Sequence, residues 1–599
     1  MDDADGWALW IRHLVNRTQP QPFSEILPCR KPPLLWAADD PAQRDLATLL
    51  RGHEKAIRSP RASKDLTAMA AAWLASTEAS RVAGDGLADG PYCALQSLAW
   101  CHALPKLAGR LDAARWWRML DRLLDLASDA PAAATTDAPA EIHPPADASA
   151  EAIGNPSAVI AEQPANPLVR QLLAGELALT LAYLFPELTP CRKLETSARR
   201  TLSQGLCDLL DGEGLPHGDH MAILRPLQAC WTRCRALGNA LPGGCWTSAA
   251  QTQFAWLVRQ ALRLTRADGS HAFSHGGGAC GELFQTALQL GGDDEDRRIA
   301  AALGPAKGKR SSRGRKAPLP EPALHSEWAA TAVLRSSWLP SMPWLAAIYS
   351  QPQIQLEIHS GRDCLGSGPW TTEIQRDGVP LEPVSPWEEV CWVCDEDVAY
   401  LEIEAELTGG HRIQRHLLLA KQDGFVLLAD SLLSKAPAAW EYTSRLPLCQ
   451  GVAWDADKES RDGFLVARGK RRALAMPIAQ PEWRSDPRGG HLKAMDQTLE
   501  LHESGHGFCL FTPLWIDLHA ARIGRPLTWR QLTVAESLRV QPSDRAVGYR
   551  VMVGAKQWLV YRSLVRTANR TLLGHNLSSQ MLVARFGRDG EVDPLIEIE

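Results

Sequence analysis

The hydrophobic period of this chain changes once, near Leu324, and that change constrains its fold more than any other feature. Before it, apolar residues recur every three to four positions. DPAQRDLATLLRGHEKAIRS has a start signal at Asp40-Pro41, and LDAARWWRMLDRLLDLA keeps the same spacing, so both predict amphipathic helices. After it, the period is two. QIQLEIH alternates Ile354, Leu356 and Ile358 with Gln355, Glu357 and His359, and LEIEAEL alternates Leu401, Ile403, Ala405 and Leu407 with glutamates. Alternation between Gly/Asp turns predicts half-buried antiparallel strands. Helices first and strands second make a multidomain α+β chain.

Two breaks divide the 599 residues further. The predicted organisation is helical over 1–127, a flexible Ala/Pro/Asp-rich insertion over 128–165, and helical again over 166–303. A basic linker over 304–321 then leads into antiparallel β structure over 322–599. The insertion has almost no large apolar residue with which to offset its ordering entropy. Within 166–303, helical stretches about 25 residues apart with short Gly/Asp connections predict antiparallel hairpins, stacked as a solenoid or closed as a ring.

Composition excludes some functions. Lys plus Arg number 64 against 69 Asp plus Glu, a net charge of −5, so no broadly basic nucleic-acid surface is expected. No apolar run approaches the ~18 residues a spanning helix needs, and no membrane partner is expected. The start, MDDADGWALWIRHLVNRTQP, shows no secretory signal, which predicts a cytoplasmic protein, or a periplasmic or secreted one if the true start lies upstream. The fourteen scattered cysteines read as buried free thiols. Cys391 and Cys394 form a C-x-x-C without a partner pair, in a strand-like stretch. His502 to His506 reads H-E-x-x-H, which needs a helix to bind zinc. Here Gly505 and Gly507 lie between TLEL and FCLF, which predicts a hairpin instead. No metal ligands and no cofactor are assigned.

The order of local motifs resembles the heparinase II/III-like polysaccharide lyases. NPLVRQLLAGELALTLAYLFPEL resembles that family's Asn-started helix. LCDLLDGEGLPHGDHMAIL and LTRADGSHAFSHGG resemble its pair of Asp-Gly turns. EWAATAVLRSSW and RIQRHLLLAKQDGFVLLADSL resemble strands of its sandwich. The likeness covers about 166–450 and only the outline of the rest. It implies an incomplete (α/α) toroid followed by an antiparallel β-sandwich, a structural metal in the sandwich of many members, and β-elimination on a uronic-acid polysaccharide or oligosaccharide. That reaction needs carboxylate neutralisation, a base for the C5 proton and an acid for the leaving oxygen.

The machinery carries over unevenly. Asn166 matches the helical Asn, although Asn-Pro-Leu is also a sound helix start. The family's Tyr is missing, since no tyrosine lies between 184 and 348, and so is its His-x-His-x-Asp, of which His359 is the one imidazole left. His217 and His220 flank Asp219 and could replace the base. His271 and His275 flank the second Asp-Gly turn. Arg415 and Arg445, with Tyr442, could meet a carboxylate. Among 22 tryptophans against seven tyrosines and ten phenylalanines, Trp231 or Trp370 could stack a sugar, and most of the others have core spacing. The expectation is therefore either a lyase with His217, His220, His359 and Asn166 as rebuilt machinery, or a lyase-fold protein that binds glycan or serves assembly without catalysis.

Overall fold

The change of period at Leu324 is a change of secondary structure. In the computed structural model, which describes residues 3–38, 40–59, 63–82, 90–128, 166–274, 281–304 and 318–599, the long helices precede Leu324 and every strand begins at or after it. Most of the predicted insertion and linker, together with His275 and Cys280, lies outside the described residues. The helical region followed by antiparallel sheet is the α+β order that the sequence predicts.

Helices form where apolar spacing gives one face to bury. In Asp40–Arg58, Leu46, His53 and Ala56 are buried, and in Ala113–Ser128 the buried positions include Trp116, Met119, Leu120, Leu123 and Leu126. Both sets keep three-to-four spacing. The Asn-started helix runs over 167–184 with a π-helical stretch at Gln171–Leu177. Gln171 fills the space a side chain at Gly205 would need, and its amide donates to Thr201 O at 3.0 Å. No helix among the described residues is long and apolar enough to cross a membrane.

The described chain divides into two compact units. One holds 1–208, 223–254 and 282–290. The other holds 209–222, 255–281 and 291–599, so both Asp-Gly turns belong to the same unit as the strands.

In that second unit the strands used below are β1 (Leu324–Ser326), β2 (Thr331–Arg335), β3 (Trp344–Ile348), β4 (Ile354–Ser360) and β5 (Asp363–Arg376). They follow one another as antiparallel neighbours at one end of a 15-stranded sheet, and β5 then pairs with the long strand Phe425–Pro447. Smaller sheets of five and four strands complete the unit.

The alternating strands are more deeply buried than half-exposure predicts. Val426 and Leu428 point into one hydrophobic core, while Phe425, Leu427 and Ala429 point into another. A strand covered on both faces must be apolar at both parities, which is why GFVLLAD does not alternate. Where a polar residue falls at such a position, it is paired. Glu402 of LEIEAEL is buried and receives Arg562 at 2.9 Å and the Tyr400 hydroxyl at 2.6 Å.

Two motifs resolve in the same terms. The H-E-x-x-H segment is not a hairpin. It lies inside one 20-residue strand, Thr498–Asp517, which stays paired with Phe425–Pro447 through a register shift between Leu433 and Ala438. The 23-residue partner carries the strand past both glycines. At Gly507 (φ +145°) a Cβ would meet the Asp544 side chain. His502 and His506, four residues apart on a strand, are separated by about 13 Å of rise, too far for one ion. In the C-x-x-C strand Glu388–Cys394, Cys391 packs against one core and Cys394 against the other, so the two thiols lie on opposite faces.

Candidate functional site

The site grows from the two Asp-Gly turns. In the first, Leu210 bridges Pro216, and one Asp211 oxygen accepts the backbone N–H of Glu213 at 2.8 Å and of Leu215 at 2.9 Å. Its other oxygen accepts the Ser326 hydroxyl of β1 at 2.7 Å. Gly214, at φ +83°, packs on the backbone of Trp256 and Leu257, where a side chain would not fit. The second turn closes between Thr265 and His271, and Asp268 accepts Ser270 N–H at 2.8 Å. The Asp supplies the turn's local acceptor and the Gly its positive φ.

The chain leaving the first turn is fastened to the segment before β2 and to the end of β3 and the residues after it. Gly218 N–H donates to Ala329 O at 2.8 Å, and Ile348 and Ser350 occupy the space a Cβ would take. Asp219 Oδ1 accepts the Ser350 hydroxyl at 2.8 Å and the Gln351 amide at 2.9 Å. Burial pushes the Asp219 carboxyl up, but the hydrogen bonds from Gln351 and Ser350 outweigh it and hold the group below its usual value. Asp219 is therefore an anion at neutral pH. His217 Nδ1 is 3.6 Å from the other Asp219 oxygen, and its ring stands edge-on to Trp328 at 5.6 Å. His220 is half-buried. Burial, then the neighbouring His217, lower its pKa against the pull of Asp219, so it stays a neutral imidazole.

Beside these residues lies a cavity of about 360 Å³. Met221, Phe273 and Ile348 supply its apolar wall, and Asp219, three serines (Ser274, Ser350 and Ser367) and three glutamines (Gln351, Gln353 and Gln355) its polar one. Among the lining residues Asp219 carries the charge, and His217 and His220 do not line it. A space this size holds one or two sugar rings, at the low end of small-ligand sites.

Under the cavity floor Glu357 ties the second turn to β4 and β5. Its Oε1 accepts Phe273 N–H at 2.7 Å, the Ser367 hydroxyl at 3.1 Å and the Arg266 guanidinium. Its Oε2 accepts Arg266 Nε at 3.1 Å and His359 Nε2 at 3.0 Å. Burial alone would raise this carboxyl, but His359 and Arg266 pull it down to about 2. His359 lies flat on Trp344, centroids 4.0 Å apart and planes 2° apart.

Several residues expected to meet a sugar are therefore placed elsewhere. His359 is buried beneath the cavity, because alternation on β4 turns it toward Glu357 and Trp344 rather than toward solvent. His271 is buried and donates Nδ1–H to Ala272 O at 3.0 Å. Trp231 is buried in the helical unit, where its indole N–H donates to Gln171 Oε1 at 2.9 Å. Trp370 is buried as well, donating to the Ser444 hydroxyl at 2.7 Å. Arg415 is buried over the Trp370 ring at 3.8 Å and forks onto Asp430 at 2.8 and 2.6 Å, while the Tyr442 hydroxyl donates to Asp430 at 2.6 Å. Arg415 Nε and Nη2 and the Tyr442 hydroxyl are thus all spent on Asp430 inside the sheet. Arg445 is partly exposed but already bonds Glu500 at 2.9 Å and Glu373 at 2.6 Å. Asn166 caps its helix, accepting Leu168 N–H at 3.0 Å. Of the expected site residues, His217 and His220 flank the cavity-lining Asp219 in sequence without lining the cavity themselves.

Sequence reasoning missed Trp328, half-exposed against His217, and the glutamine run Gln351, Gln353 and Gln355. The run was legible as Gln at every second position leading into β4, which puts Gln353 and Gln355 on one side.

Among the described residues, two side-chain sets could hold a metal ion: Glu357, His359 and Cys364 in the sheet-bearing unit, and Glu176, Cys230 and Cys234 in the helical one. In the second, Arg233 already takes both Glu176 oxygens, at 2.6 and 2.7 Å.

No family model matches the chain, and no curated protein matches it. Solved structures do match. Heparinase III aligns over 93% of this chain and 90% of its own, with a TM-score of 0.53 and 9% identity. The chain has a heparinase III-like fold. A second heparinase III structure, with methylated lysines, aligns over 78% of this chain and 71% of its own, with a TM-score of 0.50 and 9% identity. A mutant of the heparan sulfate lyase HepC from Pedobacter heparinus aligns over 94% and 95%, at a TM-score of 0.49 and 10% identity. At these identities the likeness concerns the scaffold, and the site must be argued from its own residues.

Proposed function

We propose that this protein binds a uronate-containing oligosaccharide or polysaccharide on a lyase-type scaffold, seating one uncharged ring of the repeat in the cavity beside Asp219. The observation that carries the reading is the wall of that cavity. An ionised carboxylate, three serine hydroxyls and three glutamine amides face an apolar wall of Met221, Phe273 and Ile348. Sugar hydroxyls are donors and acceptors at once, and carboxylates and amides meet both roles. Trp328, half-exposed beside His217, offers an indole face to the next ring. The acidic character of the glycan is part of the proposal and is supported by the likeness to heparinase III. So is a role without elimination, because Glu357 and His359 are committed to each other and to Arg266.

A second reading, β-elimination, is favoured by His220. A half-buried imidazole with a lowered pKa, next in sequence to the cavity-lining Asp219, is a competent base. Calorimetry with heparosan, alginate and hyaluronan oligosaccharides, run beside absorbance at the unsaturated-uronate band, separates the two. Binding that weakens in Gln353→Ala and Trp328→Ala, without absorbance change, supports the first. Absorbance that rises with wild type and is lost in His220→Ala supports the second. Absence of binding by the whole panel refutes both.

A further inference from the structure

Cys364 and Cys449 are 85 residues apart in sequence, yet their sulfurs meet at 3.2 Å. The backbone holds this contact from several sides. Cys364, the second residue of β5, stands opposite His359 of β4. Cys449 follows the long strand Phe425–Pro447, and its N–H donates to Leu365 O at 3.0 Å. The Leu448 N–H before it donates to Gln497 O at 2.8 Å, and the Cys449 carbonyl accepts Val452 N–H at 3.0 Å across a turn. Gly366 lets the two segments approach, because a Cβ there would stand 2.5 Å from Pro447 O. The Cys449 thiol donates to Cys364 Sγ, whose own S–H donates to Gly366 O at 3.4 Å. Access also sets this pair apart. Both residues are partly exposed, whereas Cys101, Cys191, Cys230, Cys234, Cys245 and Cys509 are buried. Cys391 and Cys394 are partly exposed as well, but they face opposite sides of their strand.

We propose that Cys364 and Cys449 are a modification site, a dithiol that a peroxide-class oxidant converts to a disulfide stapling β5 to the segment after Phe425–Pro447. The sulfurs need roughly 1.2 Å of further approach to reach the ~2.05 Å of an S–S bond, a movement within reach of the two side chains without shifting either backbone. In the first step one sulfur attacks the peroxide, the O–O bond breaks, and water leaves a sulfenic acid behind. In the second the other sulfur displaces the sulfenic oxygen, which departs as water. Two thiols have then lost two electrons and two protons, and one peroxide has become two waters. An external dithiol reverses the change. The staple bears on the cavity. Ser367 and Gly368, which line it, follow Cys364 by three and four residues, and a Cβ at Gly368 would meet the Pro447 side chain at 3.3 Å. Oxidation therefore pins the Pro447 segment against a cavity-lining strand. It also ties together residues 85 positions apart, a loop long enough to remove much of the unfolded chain's freedom. The cross-link needs no ligand in the cavity, so it stands or falls apart from the glycan reading.

The test takes the full chain, reduced and then freed of reductant, and treats it with a small excess of hydrogen peroxide at neutral pH. Remaining thiols are blocked with iodoacetamide after unfolding, and the peptides are mapped by mass. The Cys364 and Cys449 peptides should appear joined, unalkylated and two hydrogens lighter than their sum, and dithiothreitol should free both. Cys230 and Cys234 should be recovered alkylated. Oxidised wild type should melt about 4–8 °C above the reduced chain, and hydrogen exchange at residues 364–368 and 447–451 should slow. Cys364→Ser and Cys449→Ser should each lose the joined peptide and the Tm shift while leaving the reduced Tm close to that of wild type. A folded wild-type chain in which peroxide leaves Cys364 and Cys449 separately alkylated overturns the inference, whatever the serine variants do. So does a link from either residue to a different cysteine. A Cys364–Cys449 link that changes neither Tm nor exchange overturns the staple.

Discussion

Replacing Glu503 by Gln should stabilise the sheet-bearing unit, and the gain should grow with pH. Glu503 points inward from the strand Thr498–Asp517, and its Oε1 accepts the Gln480 amide at 3.0 Å. Burial raises its pKa to about 8, against the Gln480 hydrogen bond and the charge of Arg461. The folded chain therefore holds this proton at pH 7, whereas an unfolded chain, with a carboxyl near 4.5, has released it. A folded pKa above the unfolded one means that the contribution to stability is complete below about pH 4.5 and is lost as pH rises through 8. The loss is about 1.4 kcal/mol per pH unit, which reaches roughly 3 kcal/mol at pH 7. Glutamine keeps the shape and the acceptor but cannot ionise. Urea unfolding of wild type and Glu503→Gln at pH 5, 6, 7 and 8 measures the difference directly. It should be small at pH 5 and rise by about 1.4 kcal/mol per unit. A difference that stays constant from pH 5 to 8 would refute the reasoning.

Acid should act in the opposite sense. Burial lowers His53, His325 and His416 to about 4 and His102 to about 3. Their folded-state pKa values lie below the unfolded value of 6.5, so stability is lost as pH falls from about 6.5 toward 4, visible as a falling Tm. Neither ring nitrogen of His53 has a hydrogen-bond partner, so His53→Leu should cost nothing at pH 7 and shift the acid limb of the Tm curve to lower pH. Arg415→Ala leaves Asp430 buried without its cation and should cost about 3–5 kcal/mol in urea unfolding. Unchanged stability with lost glycan affinity would instead mean that Arg415 meets ligand. Arg266→Ala removes the cation on Glu357, and hydrogen exchange at residues 266–274 should speed up while exchange in the strand Val398–Leu407 stays unchanged. Equal protection in wild type and variant would show that Glu357 does not anchor that turn.

The period of the apolar residues made the helices and strands legible, and the Asp-Gly pairs made the two turns legible. What could not be read was which polar positions have a partner waiting. Alternation assigns Glu357 and His359 to a face of β4, but that the face is closed depends on Arg266, from a turn 91 residues earlier. Arg415 and Tyr442 looked available because the sequence does not show that Asp430, across the ladder from Arg415 and on the same strand as Tyr442, takes both. Trp231 has a similar history, being claimed by a glutamine 60 residues away. Conversely, Gln351, Gln353 and Gln355 look like solvated loop residues until the cavity is seen. Local spacing fixes direction, and long-range pairing decides whether a side chain remains free to act.

The five donors gathered on Glu357 also limit how this scaffold can be altered. A designer who transplanted residues 266–274 onto another sandwich would move a loop whose backbone N–H and guanidinium both seek one carboxylate. Without that acid at the receiving strand, and without the serine and imidazole that fill its remaining lone pairs, the graft would arrive with a buried cation and no anchor. The transferable piece is the loop together with its two strands, and libraries that vary the cavity wall would do best to leave that trio untouched.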